Sequence, residues 1–72
     1  MKNHHPLTLT VEQAGRLLGI GRSTAYEIVA SGDLPSIRLR RRIVVPTARL
    51  AERLGVDKED IWRTMEREAS TR

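Results

Sequence analysis

The sequence predicts a small α+β domain, mainly helical, in which two short helices precede a β-hairpin and two further helices follow it. Three observations lead there. Apolar residues recur at helical spacing up to residue 31, the period changes to two between Ile37 and Val45, and helical spacing returns after Pro46. With 72 residues the chain has room for one small core and no second domain. Leu, Ile and Val supply 18 of those residues, more than a disordered chain carries. There is no Cys, so helix and hairpin packing must hold the fold without disulfides or a zinc-thiolate cluster.

Met1 to Pro6 is polar and ends in Pro, so residues 1–6 read as a flexible tail, with Leu7-Thr8-Leu9 as a short extended lead-in. Thr10 stands three residues before Gln13, the spacing of a capping box. Val11, Ala14, Leu17 and Leu18 then follow at helical intervals as far as Gly19. Gly19-Ile20-Gly21 is a tight connector. A second helical pattern runs from Arg22 to Ser31 and is stopped by Gly32. Two short helices joined through a few residues containing Gly have the spacing of a helix-turn-helix.

After Asp33-Leu34-Pro35, Ile37 and Leu39 alternate with Ser36, Arg38 and Arg40, and Ile43 and Val45 alternate with Arg42 and Val44. This predicts a two-stranded hairpin with one apolar face. Its tip, Arg40-Arg41-Arg42, contains no Gly or Asn to adopt a positive φ cheaply. Pro46-Thr47 opens a third helix with Leu50, Ala51 and Leu54 inward and Arg49, Glu52 and Arg53 outward, closed by Gly55. Asp57 caps a fourth, in which Glu59 and Asp60 near the start and Arg63 and Arg67 later complement the helix dipole. Ile61, Trp62, Met65 and Ala69 make its apolar stripe. The chain thus divides into a tail (1–6), a body (7–55) and a C-terminal helical segment (56–72).

Charge is unevenly distributed. Lys and Arg total 13 against nine Asp and Glu, and residues 1–50 hold eight of the cations but only three of the acids. Eleven of the cations are Arg, whose planar fork suits phosphate and guanine. The N-terminal part is therefore the expected contact surface for a polyanion. Chemistry of other kinds is excluded by what is missing. His4 and His5 are adjacent in the tail and cannot face one ion together unaided. Gly19-Ile20-Gly21-Arg22-Ser23 lacks the spacing and the Lys of a phosphate loop. With no nucleophile, base and stabilising group able to converge, we expect no enzyme, no catalytic residue, no metal, no cofactor and no small-molecule substrate. No apolar run is long enough for a membrane span, and Met1 to Pro6 lacks the apolar stretch of a signal peptide, so a cytoplasmic protein is expected.

The second helix is the informative element. At about 100° per residue from Arg22, Tyr26, Ser23 and Glu27 fall at about 40°, 100° and 140°, while Ile28, Ala25 and Val29 cluster on the other side and Thr24 lies at the margin. Arg22 can bridge guanine O6 and N7 or grip a phosphate, Glu27 can accept from cytosine N4, and Ser23 and Tyr26 can donate to phosphate oxygens. Taken alone, Arg22 and Glu27 are also an ordinary solvated face, Ser23 a helix-start residue, and Tyr26 a ring half-buried on the first helix. The preceding glycine turn and the following basic hairpin shift the balance toward DNA. Arg38, Arg40, Arg41 and Arg42 place four cations within five residues, which repel one another unless a polyanion is near; edge-strand protection is the plainer role for them. Ile61, Trp62 and Met65 are either core or a face for a partner or second copy. Only Tyr26 and Trp62 are aromatic, which argues against stacking on RNA.

Taken in order, Leu9-Thr10-Val11-Glu12-Gln13-Ala14, Leu17-Leu18-Gly19-Ile20, Arg22-Ser23-Thr24-Ala25-Tyr26, Ser31-Gly32-Asp33-Leu34-Pro35, and Arg41-Arg42 with Pro46 resemble the excisionase-type, MerR-like winged helix-turn-helix family over residues 7 to 54. The resemblance implies a double-stranded DNA binder whose second helix (Arg22, Ser23, Thr24, Tyr26, Glu27) enters the major groove and whose wing (Arg38, Arg40, Arg41, Arg42) grips adjacent DNA. It also implies a recombination directionality factor, encoded by a bacterium, phage or mobile element, that self-associates cooperatively on DNA, bends it near an attachment site and contacts an integrase. A small MerR-like transcription regulator is the alternative, and an antitoxin-like protein-interaction module using the Trp62 face is a third. Gly21 replaces a Ser or Thr cap of the family pattern, Glu27 a basic residue, and Arg40 a Gly at the wing turn.

Overall fold

A computed structural model of the chain describes residues 5–70, and of residues 69 and 70 the backbone only. His4 and the Ala69 side chain, both named above, lie outside the described residues. The element order is β1 (Thr8–Thr10), α1 (Val11–Leu18), α2 (Arg22–Ala30), β2 (Ile37–Leu39), β3 (Arg42–Pro46), α3 (Thr47–Leu54) and α4 (Lys58–Ser70). The architecture is the expected one, mainly helical with a β-hairpin wing.

One element exceeds the prediction. The extended lead-in expected at Leu7-Thr8-Leu9 is a strand one residue later, at Thr8–Thr10, so the hairpin is part of a three-stranded antiparallel sheet in the order β1-β3-β2. Leu9 is buried between the exposed Thr8 and Thr10, and it pairs with Val45. Three residues are too few to display a period in the sequence, and only the free edge of β3 makes them a strand. The Leu7 carbonyl extends this ladder by accepting from the Thr47 N–H at 2.9 Å.

Local signals set the first two helices. Thr10 Oγ1 accepts from the Gln13 N–H and Gln13 Oε1 accepts from the Thr10 N–H, both at 2.9 Å, closing the capping box. At the other end Gly19, with φ 72°, donates to the Arg16 carbonyl while Ile20 N–H reaches the Gly15 carbonyl. This pair of bonds is a Schellman motif, and it needs the left-handed backbone that glycine adopts without strain. Gly15 is buried where α1 meets α2, and a Cβ built on it would lie 2.9 Å from Ala25 Cβ. The close approach of the two helices is therefore set by a missing side chain.

The core takes Leu9 and Val45 from the sheet, Val11 and Ala14 from α1, Ala25 and Val29 from α2, Leu50 and Ala51 from α3, and Ile61 from α4. Two expected core assignments do not hold. Leu54, placed inward by its spacing, ends α3 and is 44% exposed. The single apolar face of the hairpin is also wrong. Leu39 pairs with Arg42, leaving a two-residue turn, so Ile37 lies opposite Val44 and Arg38 opposite Ile43. Cross-strand partners share a face, so Ile37 and Leu39 lie on the side away from Ile43 and Val45. They are 45% and 54% exposed, whereas Val45 is fully buried.

Of the tail expected over residues 1–6, His5 and Pro6 lie on the fold. The Pro6 carbonyl accepts from Thr47 Oγ1 at 3.0 Å and from Trp62 Nε1 at 3.2 Å. The His5 ring stacks on Trp62 with centroids 4.4 Å apart, and Lys58 Nζ lies 5.8 Å from the indole centroid. Start signals on α4 are local again: the Asp60 carboxylate reaches back to accept from the Asp57 N–H at 3.1 Å.

Candidate nucleic-acid interface

The face of α2 is divided by its own spacing. Ala25 and Val29 are buried and Ile28 packs at the edge of the core, which orients the helix. Arg22, Ser23, Thr24, Tyr26 and Glu27 are all left exposed, Tyr26 at 43%. Thr24, marginal on the helical projection, falls on the solvent side. Gly21 supplies no side-chain cap, and the first turn of α2 contains no acid. The partial positive charge of its free N–H groups is thus not neutralised by a side chain of that turn.

Arg22 is engaged from outside α2. Its Nε lies 3.0 Å from Oε2 of Glu12 on α1, with 74% and 43% of the two side chains exposed. Spacing along the sequence pairs no acid with Arg22. Glu12 was missed because ten residues separate it from Arg22 and only the α1–α2 packing brings them together.

The wing spreads its cations rather than stacking them. Arg38 shares a face with Ile43, Arg42 shares the opposite face with Leu39, and Arg40 and Arg41 form the turn between them. All four are exposed. Arg40 has φ 58°, in the left-handed region where residues with a Cβ are strained. The absence of a turn glycine noted in the sequence is therefore a real backbone cost.

The third candidate set is placed differently. Ile61 is buried at 3% exposure, Met65 packs against the core, and Trp62 is half-buried under His5 while bonded to Pro6. These residues are largely spent within the chain. Among the described residues there is no group of three or more His, Cys, Asp or Glu side chains able to hold a metal ion. No helix among them is long and apolar enough to cross a membrane.

An exposed polar helix following a glycine turn, with an Arg-tipped hairpin behind it, defines a DNA-binding domain of the winged helix-turn-helix class. The comparisons with known proteins carry this further. The chain belongs to a helix-turn-helix family: the family model described as "Helix-turn-helix domain" matches residues 8–55. Over 38 residues it is 47% identical to a protein of Saccharopolyspora erythraea named "Probable excisionase". That match covers 53% of this chain and 39% of the relative, so the chain spans well under half of the relative's length. No solved structure matches the chain.

Proposed function

We propose that the chain is a recombination directionality factor that binds double-stranded DNA without catalysis of its own. In this reading α2 enters the major groove and the wing lies on the neighbouring backbone. One observation carries it: every polar side chain in the first two turns of α2 faces solvent, while the apolar ones on the opposite side anchor the helix. Arg22 reads guanine or a phosphate, Glu27 accepts from cytosine N4, and Ser23, Thr24 and Tyr26 hold phosphate oxygens. Arg38, Arg40, Arg41 and Arg42 supply the electrostatic grip. The name of the Saccharopolyspora relative supports excision over transcription control.

The longest extent of the molecule is 33 Å, close to one turn of duplex at about 34 Å, so a single copy reads a short site. Useful specificity then calls for several copies bound cooperatively, with DNA bent beside an attachment site and an integrase as protein partner. Contacts of His5 and Pro6 with Trp62 weigh against a protein-interaction module built on that face. The test is fluorescence polarisation against duplexes flanking the chain's own gene and shuffled controls at several salt concentrations. About five phosphate contacts give a log–log salt slope of about −4.5. Weak, salt-insensitive binding equal for both duplexes refutes the proposal.

A further inference from the structure

Among the described residues, one ion pair joins α1 to the face that α2 offers: Arg22 Nε lies 3.0 Å from Glu12 Oε2. The packing that permits it lies one turn along each helix. Gly15 follows Glu12 by three residues, Ala25 follows Arg22 by three, and a Cβ on Gly15 would stand 2.9 Å from Ala25 Cβ. A side chain at residue 15 would wedge the helices apart. The bare backbone lets them close until the Glu12 carboxylate reaches the start of α2.

The atom engaged matters. The Glu12 carboxylate lies against the Nε edge of the guanidinium. The terminal amino groups, which fork around guanine O6 and N7 or around a phosphate, keep donors for such a ligand. We propose that Glu12 is a positioning residue for DNA recognition, fixing the Arg22 guanidinium before encounter so that less side-chain freedom is lost on binding. This rests on the reading of α2 as the DNA-facing helix. Because the pair is exposed, it contributes little to folding. Its carboxylate also repels phosphates met in any register, so it weakens non-specific binding while strengthening specific binding. A merely structural residue has no such opposed pair of effects.

The experiment first enriches a duplex from a randomised pool with the full wild-type chain. Affinities for that duplex and a shuffled copy are then measured for wild type, E12Q, R22A and the double variant, with thermal melts alongside. We expect E12Q to lower the selected-to-shuffled affinity ratio about fivefold, the factor for ordering one long side chain, with an unchanged melting temperature. In the R22A background the same substitution should leave the ratio unaltered, because no guanidinium remains to be positioned. An unchanged ratio for E12Q, or an equal loss with and without Arg22, overturns the role of Glu12 and leaves the DNA-binding reading standing. Failure of the wild-type chain to enrich any duplex overturns both.

Discussion

Arg40→Gly should make the protein more stable and a poorer DNA binder. Arg40 occupies the left-handed region at φ 58° in a two-residue turn between Leu39 and Arg42. A side chain in that region costs about 1–2 kcal/mol, and glycine avoids it. Glycine's extra freedom in the unfolded chain offsets about 0.4–1 kcal/mol of the gain. The net stabilisation is about 0.5–1 kcal/mol, a rise in melting temperature of about 3–7 °C for a domain of this size. Thermal denaturation followed by circular dichroism is the assay. Arg40→Gln is the necessary control, because it removes the same charge from the crowded wing without relieving the backbone. Arg41→Gly is the second, since Arg41 is not at positive φ and glycine there should only destabilise. If Arg40→Gln melts as high as Arg40→Gly, the gain comes from relieved charge repulsion and the backbone argument is refuted. In the salt titration Arg40→Gly should reduce the slope by about 0.9 if that guanidinium neutralises one phosphate. Opposite shifts in stability and affinity would explain why an Arg is kept where a Gly fits better.

Two further substitutions probe what anchors the fold. Thr10→Ala breaks the capping box at the start of α1 and should cost about 1 kcal/mol, whereas Thr10→Ser keeps the hydroxyl and should cost much less; equal melting curves for the two would refute the capping argument. Thr47→Val and Trp62→Phe each remove one of two donors to the Pro6 carbonyl, so each should cost about 1 kcal/mol from the lost hydrogen bond. Together they strip the carbonyl of both donors, and a double-mutant cycle should show a coupling of about 0.5 kcal/mol or more; strict additivity would show that the two bonds act independently.

The parts of the molecule legible in the sequence are those governed by neighbours along the chain. The Thr10–Gln13 box, the stop at Gly19, the start of α2 at Arg22, and the exposure of Arg22, Ser23, Tyr26 and Glu27 follow from spacings of three and four residues, and the structure has them in place, whereas the side taken by Thr24 was decided by packing. The Arg cluster was visible as composition, and the difficulty of its turn as the lack of a glycine. Leu54 misled because helical spacing alone does not say where the core stops beneath α3. Trp62 looked available for a partner because nothing in its own helix shows that His5 and Pro6, more than fifty residues earlier, return to cover it.

The helices, their caps, the location of the hairpin and the polar surface of α2 all arise from hydrogen bonds and side-chain periodicity within a few residues, so they can be read along the chain. Long-range packing set the rest. It made Thr8–Thr10 a strand by offering the second edge of β3. It brought Glu12 to Arg22 by closing two helices over Gly15. It also turned Ile37 and Leu39 outward, because a turn of two residues sets a register in which cross-strand partners share a face, and a slip of one residue would have reversed every side chain in β2.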